Sequence, residues 1–168
     1  SPCRHSASHR HLMSQEGKKI AVLIKEADDP ESKLKAELGR LSEDESKEAV
    51  QLKVNALLES RIDQVDRIAK ALVRLIKPHW ILVLWIGSNS LESVPESVWE
   101  LANLEELRLN YNKLKTLSPA IAKLTKLRKL WIGRDSYVVF SEAVCKLEQL
   151  ELLSAYGCQL SVLPSSFA

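Results

Sequence analysis

Leu104-Glu-Glu-Leu107-Arg-Leu109-Asn-Tyr-Asn112-Lys-Leu114 is the stretch that decides the fold, because the chain returns to its pattern every 23 residues. One step back stands Ile81-Leu-Val-Leu84-Trp-Ile86-Gly-Ser-Asn89-Ser-Leu91. One step forward stands Leu127-Arg-Lys-Leu130-Trp-Ile132-Gly-Arg-Asp135-Ser-Tyr137, and a second step gives Leu150-Glu-Leu-Leu153-Ser-Ala155-Tyr-Gly-Cys158-Gln-Leu160. The second half of the unit keeps register as well. Val94, Leu117, Phe140 and Leu163 share one position, Val98, Ile121, Val144 and Phe167 another, and Leu101, Leu124 and Leu147 a third. Self-similarity at a fixed period of this length is the mark of stacked repeat units.

The unit has a physical logic. Strand residues alternate sides, so the apolar fourth and sixth positions point to one face. These are Leu84/Ile86, Leu107/Leu109, Leu130/Ile132 and Leu153/Ala155. A single unit cannot bury that face, and stacking supplies both a continuous core and a parallel sheet. The ninth position needs a side chain that satisfies backbone groups where the strand bends away. It runs Asn89, Asn112, Asp135, Cys158. An ionised Asp only accepts and a thiol donates weakly, so this ladder is expected to weaken toward the C-terminus.

The motif L-x-x-L-x-L-x-x-(N/C)-x-L resembles the leucine-rich repeat family. The tail L-P-x-x-(I/V)-x-x-L is similar to the intracellular 23-residue type of scaffold and Ras-pathway proteins, the Ras-suppressor kind. Proline holds its place in that tail at Pro95 and Pro164, while Ser118 and Ser141 stand in the other two units. The resemblance covers about half the chain and implies an α/β fold. It would be a short leucine-rich-repeat solenoid of four repeats with a parallel concave sheet, over 81–103, 104–126, 127–149 and an incomplete 150–168. It also implies protein binding, since members of the family bind proteins through the concave face.

Ahead of the repeats, residues 14–78 read as an α-helical capping region. Ile20, Leu23, Ile24 and Ala27 recur at helical spacing, although the β-branched run leaves a short strand open. Asp29-Pro30 is a helix start and Ser42-Glu-Asp-Glu45 fits a capping box. One long helix is expected to follow, with an apolar stripe through Val50, Val54, Leu57, Leu58, Ile62, Val65, Ile68, Leu72, Leu75 and Ile76, ending before Pro78. That stripe either covers the first repeat or pairs with a second chain as a coiled coil. Residues 1–13 read as a disordered tail or an expression remnant. Its His5, His9 and His11 lack an acidic or cysteine partner at a firm spacing, so no metal site is expected. The chain stops inside its fourth unit, which reads as a fragment of a longer protein.

A net charge of +2 on 168 residues gives no electrostatic case for nucleic acid or membrane partners. The longest apolar run, Trp80 to Ile86, is too short to span a bilayer. Three scattered cysteines, Cys3, Cys145 and Cys158, and no signal-peptide pattern place the chain in the reducing cytoplasm as an expectation. There is no phosphate loop, Cys-x-x-Cys, His-Glu-x-x-His or nucleophile with a credible His partner, and His79 at the helix-to-repeat junction reads as structural. Neither an enzyme nor a cofactor is expected.

The informative residues are those on the open side of the sheet. The fifth position reads Trp85, Arg108, Trp131, Ser154 and the third Val83, Glu106, Lys129, Leu152. The seventh reads Gly87, Asn110, Gly133, Tyr156 and the eighth Ser88, Tyr111, Arg134, Gly157. Parallel neighbours lie about 4.8 Å apart, which puts Arg108 between two indoles. The column is either a ladder that stabilises its own sheet, with Glu106 and Lys129 as a surface pair, or a protein-binding hot spot. Trp85, Arg108, Tyr111, Lys129, Trp131, Arg134 and Tyr156 are therefore the candidate partner-binding residues, and Gly87 and Gly133 are expected to leave room for a partner's backbone. The reading is an intracellular recognition or scaffold module. The alternatives are the substrate-recruiting part of a larger enzyme, such as an effector ubiquitin ligase, and a structural subunit that self-associates through its helix.

Overall fold

The computed structural model describes residues 19–25, 32, 34–36, 49–55, 61–75, 80–134 and 139–158. Alternation of apolar residues produces strands at Lys19–Lys25 (β1), Ala49–Asn55 (β2), Ile81–Trp85 (β3), Leu104–Arg108 (β4), Lys129–Trp131 (β5) and Leu152–Ser154 (β6). They form one parallel sheet of six strands, ordered β1 to β6 as in the chain. The fold is the expected α/β solenoid. The inward pairs Leu84/Ile86, Leu107/Leu109 and Leu130/Ile132 are buried, and Leu153 and Ala155 pack against the same core from its C-terminal end.

The convex side is built from three short 3₁₀ turns, Glu96–Glu100, Pro119–Lys123 and Glu142–Lys146. Each buries one β-branched residue, Val98, Ile121 or Val144, and is closed by a leucine whose N–H donates back to that residue's carbonyl. Pro95 leads the first turn. In the second, Ser118 stands in the proline's place and accepts from the Ala120 N–H at 3.2 Å, with Pro119 in the first turn.

The helical region expected over 14–78 is corrected in two of its segments. Residues 19–25 and 49–55 are strands; residues 32 and 34–36 are helical, as the expected helix start at Asp29-Pro30 has it, and the described part of the later helix (α1) is Arg61–Leu75. Val50 and Val54 stand four apart, a spacing that a helix face and a strand face share. Leu52 between them belongs to the strand pattern alone. At 1.5 Å per residue the described helix is about 22 Å long instead of the roughly 50 Å expected. The open edge of β3 is covered by strand pairing with β2, with Val50 beside Leu82 and Leu52 beside Leu84, and α1 is the crossover between these two strands.

α1 lies in the convex layer. Val65, Ile68, Ala69, Ala71 and Leu72 are buried in the chain's own core, so this described part of the expected stripe packs internally. The Ser97 hydroxyl donates to Asp66 Oδ1 at 2.7 Å and ties the helix to the first convex turn. Lys70, one helical turn on, pairs with the other Asp66 oxygen at 2.7 Å. The Lys70 hydrogen bond, then that of Ser97, holds the Asp66 carboxyl below the usual carboxylate range. Leu34 also joins the core.

One register detail departs from a uniform 23-residue step. Leu82 pairs with Leu104, but the next residue, Val83, pairs with Glu106. Glu105 is thus an extra residue in β4, a bulge in a parallel ladder. The proposed tail with its three histidines, the capping box, His79, Asp135, Leu163 and Phe167 lie outside the described residues.

Candidate functional site

The ladder at the ninth position fixes where the strands end and so where the open face begins. Asn112 makes four hydrogen bonds. Its Oδ1 accepts from the N–H groups of Asn89 and Leu91, both at 3.1 Å, and its Nδ2 donates to the carbonyls of Ile86 at 3.1 Å and Leu109 at 2.6 Å. Asn89 donates to Ile86 and Gly87. Cys158 makes the equivalent of the Asn112 bond to Ile86, its Sγ donating to the Ile132 carbonyl at 2.8 Å. There the thiol takes the place of one amide N–H donor, and a thiol is the weaker donor.

Residues of the fifth position lie in register across β3 to β6 as Trp85, Arg108, Trp131 and Ser154, and Lys53 of β2 falls beside Trp85 in the same row. The Arg108 guanidinium carbon sits 4.0 Å from the Trp85 ring centre and 5.2 Å from that of Trp131. Its Nε donates to Glu106 on the same strand. Glu106 therefore does not pair with Lys129 as expected, because a partner two residues along its own strand is closer. The Glu106 side chain is only 14% exposed, so the charge of Arg108 is neutralised by a largely buried carboxylate. The Nε1 of Trp85 and of Trp131 are buried with no acceptor among the described residues.

A second cluster forms where the strands turn away. Arg134 stacks between Tyr111, 5.5 Å away, and Tyr156, 5.9 Å away. The tyrosines are 55% and 74% exposed. Lys129 is exposed on the same face. All seven candidate residues thus occupy the concave side, in two groups. Trp85, Arg108 and Trp131 form a closed stack, and Tyr111, Arg134 and Tyr156 form an open one, with Lys129 beside Trp131 on β5.

Two features of this face escape the sequence reading. The eighth position is left-handed in every unit, with φ of 61° at Ser88, 62° at Tyr111, 59° at Arg134 and 74° at Gly157. The N–H groups of Ser88, Tyr111 and Arg134 each donate to the seventh-position carbonyl of the next unit, at 2.9, 2.8 and 2.9 Å, which locks that conformation. A large side chain there costs about 1–2 kcal/mol that glycine avoids. Gly157 was the available signal. The glycines at the seventh position are the second feature, and they correct the expectation that they make room for a partner. A Cβ on Gly87 would lie 2.6 Å from the Asn110 carbonyl oxygen, and one on Gly133 would lie 2.7 Å from Asn110 Nδ2. The space beside each tryptophan is already filled by Asn110. At the N-terminal rim, Arg128 bridges Glu151 at 2.7 Å and Glu105 at 3.9 Å.

Residues 102–138 match the family model for Leucine Rich repeats (2 copies). A solved leucine-rich-repeat protein of Leptospira interrogans superposes with a TM-score of 0.55 at 24% identity, over 71% of this chain and 28% of that one. Residues 102–138 therefore carry leucine-rich repeats, the solved protein shares the fold, and the chain spans little more than a quarter of that protein's length. A comparison with curated proteins finds no match. Among the described residues no helix is long and apolar enough to cross a membrane, and no group of acidic, histidine or cysteine side chains is placed to hold a metal.

Proposed function

We propose that this chain is a protein-recognition module that binds its partner through the concave face. Leucine-rich repeats in general mediate protein–protein interaction, and solenoids present extended concave surfaces for it. The observation that carries the reading is the open cluster. Tyr111 and Tyr156 are the most exposed aromatics of the described residues, and they flank an exposed arginine on the same face as Trp131 and Lys129. Exposed Tyr, Trp and Arg together are the composition of binding hot spots. Trp131 faces small Ser154 on one side, so its ring is stacked on the Arg108 side only.

The module is of the intracellular 23-residue type in this reading, works in the cytoplasm with its cysteines reduced, and acts as a scaffold without catalysis of its own. Affinity capture with the full chain tests it. Trp131→Ala should weaken retention of the captured partner by about 2 kcal/mol, roughly thirtyfold. Lys123→Ala, on the convex side, should leave it unchanged. Retention that survives Trp131→Ala and Arg134→Ala together would reduce the stacked side chains to a stabilising ladder.

A further inference from the structure

We propose that the concave face is built to take an acidic protein segment, an extended peptide whose carboxylates are held by Arg134 and Lys129 flanking Trp131. This rests on the reading of the concave face as the binding surface and names the chemistry of what binds there.

The charges of the face decide it. Of its described cations, Arg108 is committed to Glu106, and Arg128 to Glu105 and Glu151. Lys129 and Arg134 have no carboxylate in ion-pair range among the described residues. Both are exposed, and both are carried by the β5 unit. They stand five residues apart, at most about 17 Å of extended chain, a span that acidic residues four or five apart on an extended peptide match.

The state of Arg134 points the same way. Its guanidinium carbon lies within cation–π range of both Tyr111, at 5.5 Å, and Tyr156, at 5.9 Å, contacts that leave N–H groups to donate. Those groups form the fork that fits a carboxylate with two parallel hydrogen bonds. The backbone at Tyr111 and Arg134 is left-handed, where Gly157 serves the neighbouring unit without strain. Both side chains are exposed and add nothing to the core, so they are free to meet a ligand. A nucleic acid fits less well. Counting Arg108, Arg128, Lys129 and Arg134 against Glu105, Glu106 and Glu151, the face over β4 to β6 carries a single excess positive charge, whereas phosphate backbones are bound by many cations at once.

The test is fluorescence anisotropy with the full chain and three labelled probes. These are a short peptide with Glu at every fourth residue in a Leu/Ser background, the same peptide with Lys in place of Glu, and a single-stranded oligonucleotide of similar length. The Glu peptide should bind, more weakly as salt is raised. Lys129→Glu and Arg134→Glu should each weaken it roughly tenfold, and the double variant should prefer the Lys peptide. Lys123→Glu on the convex side should change nothing. Circular dichroism of each variant confirms the fold, as both residues are exposed. Equal binding of the Lys peptide, tighter binding of the oligonucleotide, or indifference to both charge reversals overturns the proposal. If Trp131→Ala abolishes peptide binding while the charge reversals do not, the concave site stands and its acidic ligand falls. If none of the three substitutions matters, both fall.

Discussion

Replacing Asn112 by Ala should be among the most damaging single changes in the repeats, although it removes no apolar contact. The side chain is buried and makes four hydrogen bonds. Alanine takes the acceptor from the N–H groups of Asn89 and Leu91 and the donor from the carbonyl of Leu109. The Ile86 carbonyl keeps its bond from Asn89 Nδ2 at 2.8 Å. Three buried backbone groups thus lose a partner, at about 1 kcal/mol or more each, for a total of about 3 kcal/mol. Cys158→Ala removes the thiol's bond to the Ile132 carbonyl, and because a thiol bonds weakly it should cost less than the loss of Asn112. Urea unfolding followed by circular dichroism measures both, read as a shift of midpoint at constant slope. A loss under about 1 kcal/mol for Asn112→Ala, or equal losses for the two variants, would refute the argument that the ladder carries the strand ends and fades along the chain.

Four other substitutions follow from the packing and the ion pairs. Gly87→Ala forces a Cβ against the Asn110 carbonyl oxygen and should cost about 1–3 kcal/mol. Gly133→Ala first meets the movable end of the Asn110 side chain and should cost less in the same unfolding assay, and a reversed order would contradict the reading of both glycines. Leu72→Ala should cost about 2–5 kcal/mol without changing a monomeric sedimentation coefficient, because Leu72 is buried within its own chain; a dimer that dissociates on this substitution would restore helix-mediated association. Asp66 has its folded pKa lowered by Lys70 and Ser97, so its contribution is present above the unfolded carboxylate pKa and is lost as pH falls through the folded value. Asp66→Asn should therefore destabilise by under about 1 kcal/mol at neutral pH and converge on the wild type in acid, and thermal melts showing a gap that widens in acid would count against it.

The repeats were legible because their spacing admits one reading. Leu107 and Leu109 with Asn112, stepped by 23, fix the inward face, and the outward columns follow by alternation, which placed all seven candidate residues on one side. The N-terminal strands were obscured by a coincidence of periods. Val50 and Val54 satisfy a helix and a strand alike, and the true apolar helix at Val65, Ile68 and Leu72 extended the wrong reading backwards. Contacts that depend on side-chain reach were also hidden. Glu106 has Arg108 two residues along its strand and Lys129 on the next, and only the geometry decides for Arg108. The left-handed eighth position was masked because three of its four occupants are not glycine.

The central claim is that a protein partner docks on the concave face, and site-specific photo-crosslinking tests it most directly. The photoreactive residue p-benzoylphenylalanine replaces Tyr111, Tyr156 or, on the convex turn, Lys123 in the full chain, and the partner is captured before irradiation. Adducts from positions 111 and 156 and none from 123 are predicted. An adduct from 123 with none from 111 or 156 would contradict the account.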